Sequence, residues 1–315
     1  MAELKEPLHL FSRALGFADR TAVIDGEGSY TYANLLSASA SVASELTDDK
    51  NDLRGTRVAF LVESSFEYVA VLWGIWRAGG IAVPLCSRHP SAELEYVIDD
   101  SSAEIVVTCR AYKSKISPLA KKRELRLINS WEAVSGELNS LPVLDISREA
   151  LIIYTSGTTS RPKGALLTHA NLEAQITSLV KAWEWSEKDR ILNVLPMHHV
   201  HGIVNVLSCA LWSGACVEMM PVFDVEAVWR RFSERDLTLF MAVPTMYTKL
   251  AEYWEASDKK ERSAMRKACK RFRLFVSGSA ALPAPLFEKW RDVSGGRRVL
   301  ERYGMTEIGM ALSNP

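Results

Sequence analysis

The sequence predicts an α/β protein built as two lobes, with mainly parallel sheets flanked by helices. Three observations lead there. Short apolar runs alternate with segments of helical periodicity, the order strand, helix, strand recurs along the chain, and the pattern loosens once, near residues 110–150.

Arg57–Val62 is the first apolar run, of the length and content of a buried strand. Phe66, Val69, Trp73 and Trp76 then recur at helical spacing until Gly79-Gly80 stops the helix, and Ile81–Leu85 is the next strand. Such a unit within one sheet requires a right-handed parallel crossover. Further strands are read at Glu104–Thr108, Ile191–Leu195, Ala215–Met219, Thr238–Ala242, Phe272–Val276 and Arg297–Glu301. Ser117-Pro118, the basic run Lys121–Arg123 and Leu141-Pro142 mark the loosened stretch as a connection, dividing residues 1–145 from residues 146–315.

A buried strand from Leu151 runs into Thr155-Ser156-Gly157-Thr158-Thr159-Ser160-Arg161-Pro162-Lys163-Gly164 and then into a helix with Leu172, Ile176, Leu179 and Trp183 on one face. Free backbone N–H groups and hydroxyls in such a loop donate hydrogen bonds, and Lys163 adds positive charge, so a polyphosphate is its natural guest. The Gly-x4-Gly-Lys-Ser/Thr spacing of the Walker loop is absent. The plainer alternative is a solvated Ser/Thr turn.

Composition excludes several classes. The chain has 315 residues, 48% hydrophobic and 24% charged, far from disordered or collagen-like compositions. Lys plus Arg and Asp plus Glu both number 38, so no global field favours nucleic acid, and none is expected as a partner. The five cysteines include no Cys-x-x-Cys pair and suit a reducing compartment. The most apolar stretch, residues 60–83, is broken by Glu63, Glu67, Arg77 and Gly79-Gly80, so no membrane span is expected. Residues 1–20 carry Glu3, Glu6 and Asp19, unlike a signal or transit peptide. The expected compartment is cytoplasmic, with a mitochondrial one compatible.

Residues 154–164 resemble the phosphate-loop signature of the adenylate-forming enzymes, the superfamily of acyl-CoA synthetases, luciferases and peptide-synthetase adenylation domains. Four further segments follow in that superfamily's order: Leu195-Pro196-Met197-His198-His199-Val200-His201-Gly202, Val243-Pro244-Thr245, Ser277-Gly278-Ser279-Ala280-Ala281-Leu282 and Tyr303-Gly304-Met305-Thr306-Glu307. Residues 30–85 resemble its N-terminal lobe. The resemblance implies the large N-terminal domain of such an enzyme without its small C-terminal domain. Family members run on well past the position of Pro315, through a ribose-binding aspartate, a hinge and the adenylation lysine, and Ser160 stands where they usually carry glycine.

The resemblance implies ATP-dependent activation of a carboxylate followed by transfer to coenzyme A as co-substrate. Thr155, Ser156, Gly157, Thr158, Thr159 and Lys163 would hold the β- and γ-phosphates. Thr306 would reach the α-phosphate and Glu307 would coordinate Mg2+, which with Lys163 makes them the candidate catalytic residues. Gly278, Ser279, Ala280, Tyr303 and Gly304 would form the adenine side. His199, His201 and Arg302 would line the acid pocket and make it small and polar. An unpaired buried guanidinium is costly, so Arg302 calls for a second carboxylate on the acid. Residues 299–307, 241–247 and 273–280 resemble the malonyl-CoA synthetases, which implies malonate.

Plainer readings stand beside these. Glu307 could be a surface carboxylate at a helix start, Arg302 could pair with Glu301 or Asp236, and His198, His199 and His201 could be packing residues or, with less support, zinc ligands. The basic stretch Lys259–Arg273 reads as solvated helix surface, with coenzyme A phosphates or RNA as alternatives, and Trp73, Trp76, Trp183, Trp185, Trp212 and Trp229 read as core. Another small or aromatic acid:CoA ligase, or a nucleotide-binding remnant without turnover, remain the competing functions, and the oligomeric state stays open.

Overall fold

A computed structural model describes residues 8–48, 50–155 and 161–313. The chain divides into two compact units, residues 1–174 with 196–200, and residues 175–195 with 201–315.

In the first unit, β1 (Thr21–Ile24) and β2 (Ser29–Thr31) form an antiparallel pair. A sheet then runs in the order β6-β5-β3-β4-β7-β8, from β3 (Arg57–Leu61), β4 (Ile81–Pro84), β5 (Ile105–Thr108), β6 (Arg126–Asn129), β7 (Glu149–Thr155) and β8 (Lys163–Thr168). All its pairs are parallel except β7 with β8. Ala59, Leu61, Ile81, Val83 and Val106 pack against Leu94, Val97, Ile98, Ile116 and Leu119 of the helices Ser91–Asp100 and Lys113–Lys122. Phe60, pointing the other way, meets Tyr68 of the helix Phe66–Arg77 with ring centroids 5.1 Å apart.

The helix Phe66–Arg77 begins where the Ser65 hydroxyl accepts the Tyr68 N–H, and ends before Gly79, whose φ of +78° no β-carbon opposes. It crosses the helix Tyr32–Thr47 at very close range: a Cβ on Gly74 would lie 2.4 Å from Val42 Cγ1. Arg77 is half-buried, with Nη1 donating to the Leu36 carbonyl and to Ser39 Oγ of the helix Tyr32–Thr47.

In the second unit the strands lie in the order β14-β13-β12-β11-β9-β10, from β9 (Arg190–Asn193), β10 (Cys216–Met219), β11 (Leu239–Ala242), β12 (Leu274–Ser277), β13 (Val299–Met305) and β14 (Gly309–Ser313). These are parallel except for β14, antiparallel on β13. The core joins Leu192, Phe240, Phe275 and Val299 to Val228, Phe232, Tyr247, Leu250, Cys269 and Trp290 of four covering helices.

The α/β reading and all eight strands read outside the phosphate loop are present, seven of them within two residues and the last, read as Arg297–Glu301, running on to Met305. Two segments differ. The stretch read as a connection holds the helix Lys113–Lys122, despite Pro118, and β6. The phosphate loop leads not into a helix but into β8, and only then into the helix His169–Ala182. Neither segment carries a clean period, because β6 and β8 are mostly half-buried or exposed. All six tryptophans named above are buried. The basic stretch is mainly exposed helix surface, started by the Asp258/Glu261 capping box, with Arg273 paired to Asp189 at 2.7 Å. All five cysteines are buried free thiols, and among the described residues no helix is long and apolar enough to cross a membrane.

Candidate functional site

In the first unit the candidate residues gather at the β7–β8 hairpin and at residues 196–200. Thr155 is half-buried, Lys163 is exposed, and the two pair across the antiparallel ladder at the base of the loop. Ser156, Gly157, Thr158, Thr159 and Ser160 lie outside the described residues. The stem is anchored by the helix Ser91–Asp100: the Tyr96 hydroxyl donates to the Pro162 carbonyl at 2.8 Å and the Tyr154 hydroxyl to Asp100 Oδ2 at 2.7 Å.

His198 and His199 stand with ring centroids 4.1 Å apart, and His198 is 6.2 Å from His89. Burial, followed by the charges of His199, His89 and Arg88, pushes the His198 imidazole down to about 3; burial, then Arg88 and His89, lowers His199. Both rings are thus neutral near pH 7 and present hydrogen-bonding edges, not charges. The buried Tyr68 hydroxyl donates to the Met197 carbonyl and fixes the backbone just before them.

In the second unit, β12 ends at Ser277 and the chain turns at Gly278 and Ser279. Ser279 has φ of +67°, a left-handed conformation that costs a residue with a β-carbon about 1 kcal/mol. Its hydroxyl lies 3.3 Å from His201 Nδ1. His201 opens a π-helical segment, His201–Ser208, whose eight residues are all buried. Helical turns of this kind are rare and often occur at functional sites. His201 therefore parts from His198 and His199, which belong to the other unit.

β13 and β14 form a hairpin whose turn is Thr306-Glu307-Ile308. Gly309, the first residue of β14, follows the turn with φ of +65°, a left-handed conformation that glycine adopts freely. Thr306 is half-buried; Glu307 and Tyr303 are exposed, Tyr303 by 61%. Gly304 faces Met310, and a Cβ on it would lie 2.3 Å from the Gly309 carbonyl oxygen. Glu307 thus sits on a hairpin turn and not at a helix start.

Arg302 is only 8% exposed, and its guanidinium lies over Gly278, where a Cβ would come within 2.4 Å of Cζ. Nη1 is 3.6 Å from Met310 Sδ, while Nε and Nη2 are buried with no hydrogen-bond partner among the described residues. Burial lowers its pKa to about 10, which leaves it charged at neutral pH. Neither carboxylate considered from the sequence takes it: among the described residues it forms no ion pair, and Glu301 Oε1 accepts the Leu282 N–H at 2.8 Å. A buried cation with idle donors is an arrangement completed by an anion.

No group of three or more His, Cys, Asp or Glu among the described residues could hold a metal ion by itself. A cation at Glu307 would need further oxygens from a ligand, which suits Mg2+ held by one carboxylate and phosphates. Sequence reasoning did not find Met310 beside Arg302, nor Gln175, whose Oε1 accepts the Met310 N–H at 2.5 Å. A Gly three residues after Thr306 was the available signal for the hairpin.

Comparison with known proteins places these observations. A family model described as AMP-binding enzyme matches residues 10–315. The chain is 47% identical over 323 residues to the mitochondrial malonate–CoA ligase ACSF3 of Mus musculus, covering 97% of this chain and 55% of that protein. Among solved structures it resembles ATP-bound MatB from Rhodopseudomonas palustris, with TM-score 0.86 and 31% identity over 98% of this chain and 62% of that one. It also resembles a malonyl-CoA ligase ternary product complex with methylmalonyl-CoA and AMP bound, with TM-score 0.84 and 32% identity over 97% of this chain and 62% of that one. The chain thus spans little more than half the length of the full relative.

Proposed function

The chain belongs to the AMP-binding enzyme family, and from that premise we propose that it carries the nucleotide and acid sites of an ATP-dependent malonate–CoA ligase. The reaction forms malonyl-adenylate and pyrophosphate from malonate and ATP, then malonyl-CoA and AMP. One observation carries the choice of acid: the buried guanidinium of Arg302, whose Nε and Nη2 have no hydrogen-bond partner among the described residues.

A carboxylate is a poor electrophile and is activated by phosphorylation chemistry. One malonate carboxylate oxygen attacks the α-phosphorus, the bond to the bridging oxygen breaks, and pyrophosphate leaves with its electron pair. The coenzyme A thiol, losing its proton, then attacks the acyl carbon and expels AMP. Transfer between anions needs positioning and charge neutralisation above all.

In this reading Thr155, Ser156, Gly157, Thr158, Thr159 and Lys163 hold the β- and γ-phosphates, and Thr306 reaches the α-phosphate. Gly278, Ser279, Ala280 and Gly304 bring backbone close to the adenine, on which the exposed Tyr303 ring stacks. Glu307 would hold Mg2+, which when bound neutralises phosphate charge. Arg302 forms a bidentate pair with the distal carboxylate, and the neutral His199 with His201 offers hydrogen bonds without repelling or overbinding a dianion. The name of the mouse relative supports malonate and a mitochondrial compartment.

The test is calorimetry of the chain with Mg-ATP and then with malonate, acetate, succinate and 4-coumarate, alongside pyrophosphate and thioester assays. Mg-ATP binding with malonate preferred supports the reading. Preference for 4-coumarate or acetate refutes the assignment of Arg302.

A further inference from the structure

We propose that Gln175 is a positioning residue for the nucleotide side of the site; the inference rests on the reading just given for Thr306 and Glu307. Gln175 lies half-buried on the helix His169–Ala182. Its amide reaches the far strand of the β13–β14 hairpin. Oε1 accepts the Met310 N–H at 2.5 Å, and it stands 2.0 Å from where a Cβ on Gly309 would be.

Three features make that contact a lever on the turn. Gly309 has φ of +65° and ends the Thr306-Glu307-Ile308 turn, so the amide bears directly on the residue that sets the turn's direction. The same helix, one residue beyond its end, carries Trp183, whose Nε1 donates to Ser313 Oγ at 2.9 Å. β14 is thereby held at both its beginning and its end, while Leu312, 67% exposed, and Ile308 in the preceding turn, 54% exposed, supply little burial to hold it. Finally, Met310 is the residue whose Sδ lies 3.6 Å from Arg302 Nη1, so the Gln175 bond also fixes the backbone that covers the guanidinium. A hydrogen bond to a half-buried side chain is doing here what sheet packing does for the other strands.

Without the acceptor, the turn bearing Thr306 and Glu307 loses its directional restraint and the phosphate-side groups no longer start in place. Gln175→Leu keeps the volume and removes the acceptor; Gln175→Glu keeps an acceptor oxygen. Both variants and the wild-type chain are compared by Mg-ATP calorimetry, by amide hydrogen exchange over residues 306–310 and by melting temperature. The proposal expects Gln175→Leu to bind Mg-ATP about tenfold more weakly, with faster exchange at Met310, and Gln175→Glu to stay close to wild type, the scale of one hydrogen bond. Gly309→Ala, which drives a methyl into the same amide, should reproduce the Leu variant. Equal Mg-ATP affinity in wild type and folded Gln175→Leu overturns the positioning role and leaves the nucleotide reading intact. If the wild type binds no Mg-ATP, both fall together. If Gln175→Leu is unfolded, the comparison of Gln175→Glu with Gly309→Ala decides in the same terms.

Discussion

Arg302 fills the space that any side chain at position 278 would need: a Cβ on Gly278 would lie 2.4 Å from its Cζ, 2.6 Å from Nε and 2.7 Å from Nη1. Glycine at 278 is therefore a condition for the guanidinium to lie where it does. Gly278→Ala should push Arg302 off its seat. Malonate binding should weaken at least about tenfold, since even a small displacement spoils a bidentate pair. Calorimetry with malonate checks it; unchanged affinity would mean that Arg302 reads no carboxylate in this position.

The phosphate loop gives a second expectation. Lys163→Ala combined with Thr158→Ala removes a cation and a hydroxyl donor proposed for the β- and γ-phosphates. Hydrogen bonds to charged groups are worth roughly 1.5–3 kcal/mol each, so Mg-ATP affinity should fall by about a hundredfold or more. Titration of the double variant measures this directly, and wild-type affinity in that variant would take the loop out of the site.

Buried imidazoles predict a pH dependence of stability. Burial, then the charge of Arg148, lowers His169 from 6.5 to about 4. The unfolded chain binds a proton on this ring near pH 6.5, whereas the folded chain resists until near pH 4. The stabilisation is therefore complete above about pH 6.5 and lost as pH falls toward 4, worth at most about 3 kcal/mol. Urea unfolding of wild type and His169→Gln from about pH 4 to about pH 8, which brackets the unfolded titration and reaches the folded one, should show a steeper acid loss in the wild type. Parallel curves would contradict it. His198, lowered to about 3, adds a slope of the same sign in the same unit.

Gly74 offers a test of packing. Alanine there would gain up to about 1 kcal/mol of helix propensity, yet its methyl would sit 2.4 Å from Val42 Cγ1 and 2.6 Å from Val42 Cβ. Overpacking by one methyl typically costs about 1–3 kcal/mol, so Gly74→Ala should be net destabilising, and Val42→Ala added to it should recover part of the loss. Denaturant midpoints of the single and double variants decide; additivity of the two changes would show that the helices can move apart freely.

The sequence made the parallel strands legible because a strand buried on both faces is a continuous apolar run, as in Val58–Leu61, Ile105–Val107 and Leu239–Ala242. It hid β8 and β14 because neither is buried: Leu166 is 45% and Leu312 is 67% exposed, so their place is set by hairpin turns and side-chain bonds instead of by hydrophobic pattern. Arg302 was legible as a buried cation wanting an anion, but its seat on Gly278 and its contact with Met310 were not, since both are contacts across strands. The separation of His199 from His201 could not be read from a spacing of two residues; a π-helical start at His201 has no sequence signature comparable to a capping box. Gln175 looked like any polar position on a helix, and its partner Met310 lies 135 residues further along the chain.

The central claim is that Arg302 reads the second carboxylate of the acid. Its most direct measurement is the affinity of the ATP-loaded chain for malonate and for acetate, in wild type and in Arg302→Ala. Breaking one partner from a buried charge pair costs about 3–5 kcal/mol, so the account predicts malonate bound about a hundredfold or more tighter than acetate by the wild type. Arg302→Ala should lose nearly all of that preference while retaining its affinity for Mg-ATP. Malonate preference left intact in Arg302→Ala would contradict the account.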